Sequence, residues 1–231
     1  MGKRIIARRR GRGGSTYRSP SHRHPGEARY PRIPEGKGKV TDLVHAPGRS
    51  APLMRIDYGV GKALMIAPEG LSVGQEVVLG RYAPIEMGNT LPIGLIPEGT
   101  IVHNIESVPG DGGKLVRAAG AGAAIVSHGR MVVIQLPSGK FRRTNPSCRA
   151  TIGIVAGSGR REKPFTKAGK KYHAHRSKAK RYFQVKGIAM NPVNHPHGGG
   201  GHPHVGKPST VSANAPPGRK VGRLSPKKRR R

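Results

Sequence analysis

Between residues 38 and 156 the chain alternates short apolar runs with turn-forming residues, one run every ten residues or so. The first four are Lys39–His45, Leu53–Tyr58, Ala63–Ala67 and Glu76–Leu79. In Leu53–Tyr58, Met54, Ile56 and Tyr58 alternate with Arg55 and Asp57. That period of two belongs to a strand with one face in a core and the other in solvent. Pro47-Gly48, Gly59 to Gly61 and Pro68-Glu69-Gly70 separate the runs. Regular short strands with such punctuation predict a compact barrel, here over 36–84 and of the oligonucleotide-binding type.

A second series predicts a second small barrel, SH3-like in size, over 85–160. Its strands are Gly99–Ile105, Lys114–Arg117, Ala123–Ser127, Met131–Leu136, Lys140–Arg143 and Arg149–Val155. Val132, Ile134 and Leu136 share one face, as do Ala150, Ile152 and Ile154. Pro137-Ser138-Gly139 predicts a tight hairpin between two of the strands. The fold class is therefore mainly β. Residues 1–35 and 161–231 show no apolar periodicity and read as an extended N-terminal arm and a C-terminal segment without a core. Lys170 to Tyr182 would form a short helix on binding, polar on every face and so in need of a partner.

Charge sharpens this division. The 231 residues carry 43 Lys and Arg against 11 Asp and Glu, a net +32. Such a surplus opposes a compact state and calls for a polyanionic partner. Residues 51–111 hold 3 basic and 7 acidic side chains, whereas 161–231 hold 19 basic and the single Glu162. A near-neutral body with polycationic ends follows. Candidate RNA contacts are Arg8, Arg9, Arg10 and Arg12 in the arm, where Tyr17 and Tyr30 offer stacking surfaces. In the barrels they are Arg117, Arg142, Arg143 and Arg149, the last three on or beside strands with an apolar face. Further along they are Arg160, Arg161, Lys170, Lys171, Arg176 and Arg181, and the chain ends in the basic run Lys227 to Arg231. A solvated tail is the alternative for the N-terminal arm.

Cys148 is the only cysteine, so no internal disulfide forms and a reducing compartment is expected. The start MGKRIIARRRGRGG lacks the apolar stretch of a signal peptide, and no run approaches the roughly 20 apolar residues of a membrane span. The loops Val108–Gly113 and Ala118–Gly122 are glycine-rich, and the second, AAGAG, would let backbone amides approach phosphates, or serve a tight turn. No Gly-Lys-Ser/Thr follows either, so nucleotide hydrolysis is not supported.

Asn191 to His204 reads NPVNHPHGGGGHPH. Four imidazoles suggest zinc, yet no cysteine or carboxylate accompanies them to complete a site. A general base at His195 or His197 needs an orienting partner, and Glu162 is the only carboxylate in this third of the chain. A loop moulded to RNA fits better: proline stiffens it, glycine permits close approach, and histidine stacks or hydrogen-bonds. Asn191, His195, His197, Gly198, Gly199 and Gly200 are its candidate contacts. A zinc-dependent module or hydrolase and a DNA-binding chromatin-like protein are the rival classes.

MNPVNHPHGGG from Met190, RAAGAGAAIVSHG from Arg117, LPSGKFRRTNPSCRATIG from Leu136 and IAPEGLSVGQEV from Ile66 carry a resemblance. They resemble the universal large-subunit ribosomal protein L-two family in its archaeal and eukaryotic form, over essentially the whole chain. The resemblance implies an oligonucleotide-binding-type barrel, an SH3-like barrel and an extended C-terminal segment. It implies a non-enzymatic primary ribosomal-RNA-binding protein of the large subunit in the cytoplasm. Such a protein supports subunit association, tRNA binding and assembly of the peptidyl transferase centre. Implied partners are large-subunit RNA, neighbouring ribosomal proteins and the small subunit at a bridge. No cofactor is implied, and any Mg²⁺ would be held mainly by RNA. His195 takes a structural role, because peptide transfer is RNA-catalysed. Asn194 stands where bacterial relatives carry Asp, which weakens a base reading further, and His202 and His204 depart from the bacterial pattern.

Overall fold

The computed structural model describes residues 2–225, so the basic run Lys227 to Arg231 lies outside the described residues. Two compact units emerge: Ser21–Thr166, and Met1–Pro20 together with Lys167–Arg231.

The Ser21–Thr166 unit is a β structure with two cores. Its first strands are β1 (Gly36–Val44), β2 (Leu53–Asp57), β3 (Lys62–Ile66) and β4 (Glu76–Leu79). The antiparallel meander β3-β2-β1 is extended by β4 on the free side of β1. The alternation places Val40, Met54, Ile56, Met65, Val77 and Leu79 in one buried cluster. The second set is β5 (Thr90–Pro92), β6 (Ile101–His103), β7 (Ala123–Ser127), β8 (Val132–Gln135), β9 (Phe141–Thr144) and β10 (Arg149–Ile152). Strands β6 to β9 form a meander, and β10 returns to pair antiparallel with both β6 and β5. Leu91, Ile93, Val102, Ile125, Ile134 and Ala150 fill this core. A third cluster joins Leu53 and Ile66 of β2 and β3 to Ala119 and Val155, which lie outside the strands.

Two sequence expectations change here. Lys114–Arg117 is not a strand: it makes one bridge, Ile105 to Leu115, and Val116 sits at φ 52, where no strand continues. Conversely β5 lacks any alternating run and exists because β10 pairs with it on one side and β4 on the other. Residues 21–35 group with the barrels and not with residues 2–20. Tyr30 is buried in the first core, and its hydroxyl donates to the Asn104 carbonyl at 2.8 Å and meets Thr151 Oγ1 at 2.8 Å. This tyrosine is therefore a core residue and not the base-stacking platform its arginine neighbours suggested. Burial holds its hydroxyl pKa above the ordinary value.

The other unit has almost no core: Ile5 is its one buried residue among those described. It contains α1 (Ile6–Gly11) where an extended arm was expected, α2 (Ala168–Arg176), and a short parallel pair, β11 (Thr210–Val211) with β12 (Arg223–Leu224). α2 buries no residue, as a helix without an apolar face does, and Lys167 at its N-cap position has no side-chain acceptor to cap it.

Candidate nucleic-acid interface

The His/Gly segment closes on itself. The Asn191 carbonyl accepts from the Asn194 and His195 amides, the Gly198 amide donates to the His195 carbonyl, and Gly199 donates to Met190. A β-carbon at Gly198 would stand 2.4 Å from the Asn191 and Met190 carbonyl oxygens. One at Gly199, whose φ is +85, would stand 2.6 Å from Pro192. These two glycines therefore serve the loop's own closure, whereas a β-carbon at Gly201 would meet nothing. The close approach expected toward RNA is, for Gly198 and Gly199, an approach to the chain itself.

His195 packs its ring against Gly187, with the His197 ring 5.0 Å away in an edge arrangement. Its Nδ1 accepts a 3.0 Å hydrogen bond from the His197 amide. In the neutral ring the proton then lies on Nε2, which becomes a donor. Burial, and secondarily His197, lower the pKa of His195, so the ring is neutral at physiological pH. The lone pair a general base would use is already occupied.

Around this loop the N-terminal and C-terminal segments of the same unit build cationic clefts. One, of about 220 Å³, is lined by Lys3, Arg4, Arg8, Asn194 and His195. A second, of about 340 Å³, gathers Arg4, Arg9, Arg181, Asn191 and Asn194. A third, of about 430 Å³, gathers Arg10, Tyr17, His175, Lys180 and Arg181. Arg10 lies 5.9 Å from the Tyr17 ring, and Lys171 lies 5.7 Å from Tyr182. Arg8, Arg9, Arg10, Arg181, Asn191 and His195 thus meet although some 170 residues of sequence separate the two groups. Arg4 and Asn194 join them. The sequence signal for Arg4 was its place in the basic start, and for Asn194 its place inside the motif. Arg12, Lys170, Lys171 and Arg176 are exposed. His197 is half-buried beside Gly222.

In the barrel unit the candidate residues divide. Arg142 and Arg143 are successive residues of β9, so they project to opposite faces. Both are exposed on β9, which ends the strand order, and Arg142 Nη2 donates to Ser107 Oγ at 2.7 Å. Phe141 beside them is 64% exposed, which places an aromatic ring among cations. Arg160 is exposed, and Arg161 ends a 3₁₀ turn, Ser158–Arg161.

Arg149 and Arg117 are used inside the protein. Arg149 donates from Nε and Nη2 to Glu106 Oε1, and from Nη1 to the Pro31 carbonyl. Its guanidinium also lies 5.1 Å from the Tyr30 ring. Arg117 donates to the Gly113 and Ala28 carbonyls at 2.7 and 2.6 Å. The fully buried Glu106 also accepts from the Gly110, Gly112 and Arg149 amides, so the 108–113 loop wraps a carboxylate. In the 118–122 loop the amides of Ala119, Gly120 and Ala121 bond to Ser50, Val155 and Ala118. Neither loop has these amides free for phosphate, and both serve folding.

Among the described residues, no group of three or more His, Cys, Asp or Glu side chains is placed to hold a metal ion. No helix among them is long and apolar enough to cross a membrane.

Residues 3–79 match the family model described as Ribosomal Proteins L2, RNA binding N-terminal domain. Residues 86–221 match Ribosomal Proteins L2, C-terminal domain. Large ribosomal subunit protein uL2 of Methanocaldococcus jannaschii is 55% identical over 234 residues, covering 97% of each chain. Proteins of the same name from Methanothermobacter thermautotrophicus and Thermoplasma acidophilum are each 54% identical, the first over 97% of both chains and the second over all of this chain and 98% of its own.

Proposed function

The chain belongs to the ribosomal protein L2 family, and from that membership we propose how its two units divide the work. It is a structural constituent of the large subunit of the cytoplasmic ribosome and binds ribosomal RNA. The barrel unit anchors the protein on its RNA site. The coreless unit threads between RNA helices and takes phosphates into its arginine-lined clefts. The gathering of Arg4, Arg9, Arg181 and Asn191 around one cleft carries this reading. Asymmetric clefts of this kind suit folded RNA, whose splayed bases and 2′-hydroxyls offer varied partners.

Within that reading the protein is non-enzymatic. His195 holds the loop's shape through Nδ1 and offers Nε2–H to RNA. The finer roles are support of subunit association, of tRNA binding and of peptidyl-transferase-centre assembly, with small-subunit contact at a bridge. The exposed Phe141-Arg142-Arg143 edge is suited to such a contact. Any Mg²⁺ at the interface is held by RNA phosphate.

The test is binding of the full chain to large-subunit ribosomal RNA fragments across a salt series, with duplex DNA as competitor. Affinity is expected to fall with a logarithmic slope of roughly 0.7–0.9 per neutralised phosphate. Equal affinity for DNA would overturn the reading. Gly198→Ala, which forces the loop open, is expected to weaken RNA binding about tenfold, while Gly201→Ala leaves it unchanged.

A further inference from the structure

One surface of this strongly cationic chain is unsuited to RNA. The link from β4 to β5, residues 80–89, leaves Tyr82 89% exposed, Ile85 52% and Met87 43%. Single exposed apolar residues are ordinary, but three within six residues of one loop concentrate apolar surface there. The patch is rigid. Ala83 is buried in the second core, and Asn89 is buried as well. Asn89 Oδ1 accepts from the Val78 amide at 2.8 Å, and its Nδ2 donates to the Pro84 carbonyl at 3.0 Å. The Gly88 amide donates to the Ile152 carbonyl at 3.1 Å. Apolar side chains on so fixed a loop lose little entropy when covered.

The charge around the patch runs against the rest of the molecule. Met87 lies against Gly70, next to exposed Glu69, and Glu86 adjoins it on the loop. At the other end, a β-carbon on Gly80 would stand 2.9 Å from Glu35 Cγ. Glu35, Glu69 and Glu86 are all exposed, and none of them forms an ion pair among the described residues. Three carboxylates thus lie on or beside a loop that itself carries one cation, Arg81. An RNA backbone would be repelled here and would bring no apolar surface. We propose that the 80–89 loop, with Glu35, Glu69 and Glu86, is a docking surface for a protein partner whose contacting segment combines apolar side chains with lysine or arginine. Carboxylates then set the partner's register and on-rate, and Tyr82, Ile85 and Met87 supply the buried contact.

The inference rests on the chain's place in the large subunit, and its test is independent of RNA affinity. A photo-crosslinking amino acid replaces Tyr82, a position exposed enough to leave the fold unaffected, in chain assembled into purified large subunits. The crosslinked material is sequenced. The expected product is a peptide of another subunit protein, net positive and containing apolar residues. Crosslinking to ribosomal RNA, or no crosslink, overturns the proposal. The pair Glu69→Lys and Glu86→Lys should lower the peptide crosslink about tenfold. It should not weaken binding of the free chain to ribosomal RNA fragments. An undiminished crosslink in that variant would also overturn the proposal. Loss of RNA binding by the unaltered chain would instead count against the RNA-binding reading.

Discussion

Glu106 is the residue on which most of the barrel unit's polar interior converges. Its two oxygens accept five hydrogen bonds, three of them from Arg149 and two from loop amides. Removing one partner of a buried, hydrogen-bonded ion pair leaves the other uncompensated. Glu106→Ala is expected to destabilise the protein by roughly 3–5 kcal/mol in urea unfolding. A cost below about 1 kcal/mol would show that the pair is not buried in solution. His103 is the second buried ionisable residue of consequence. Its Nδ1 meets the Gly153 carbonyl at 2.9 Å, and burial depresses its pKa to about 4. The unfolded chain takes up this proton near pH 6.5 and the folded chain only near 4. Stability present above about pH 6.5 is therefore lost as pH falls toward 4, by up to about 3 kcal/mol. Unfolding titrations of the protein and of His103→Leu should differ in slope across this window and run parallel above it. Neither residue was legible in the sequence. Glu106 looked like one more acid of a near-neutral segment, and Arg149 like a free cation, because their pairing spans 43 residues and Arg149 also reaches Pro31, 118 residues away.

At the scale of the element, periodicity was a good guide wherever one face of a strand was buried. Met54 and Ile56, or Val132 and Ile134, announce their strands because the pleat sends alternate residues into a core. It failed where pairing or backbone conformation decides. Thr90–Pro92 is a strand because Arg149–Thr151 lies on one side of it and the end of β4 on the other, and the apolar run at 114–117 is broken by the left-handed Val116. The candidate site divides likewise. The basic runs and the His/Gly motif stand out in sequence, but their meeting in shared clefts depends on chain ends far apart. α2 shows what an element without a core implies. With no buried residue and no side-chain N-cap, it rests on its own backbone hydrogen bonds and on peripheral contacts such as Lys171 against Tyr182. Replacing Lys170, Lys171 and Arg176 by alanine should leave the unfolding transition of the barrel unit unchanged. It should reduce the salt slope of RNA binding by roughly 0.7–0.9 for each phosphate that these side chains neutralise. An unchanged slope would mean that α2 does not touch phosphate.

For the whole molecule, the contrast between units is one of self-sufficiency. Residues 21–166 own all three hydrophobic clusters, and the other unit owns one buried isoleucine among the described residues. A fragment of residues 21–166 is expected to unfold cooperatively, with a melting temperature within a few degrees of the full chain's barrel transition. A fragment that fails to fold would mean that the terminal segments contribute to the core. The same fragment should bind ribosomal RNA with a shallower salt dependence, because it lacks the arginine-lined clefts.

The knot around Glu106 also bears on how the protein comes into being. It ties Pro31 to Arg149, 118 residues further on. During synthesis from the N-terminus, Tyr30 and Pro31 exist long before the strand that will hold them. Until β10 is made, Tyr30 lacks Thr151, Glu106 lacks its guanidinium, and the first core stays open at that edge. Closing so long a loop is slow compared with forming a hairpin. The last strand of the second barrel thus acts as the latch of the first, and the nascent chain waits for it with a buried tyrosine still exposed.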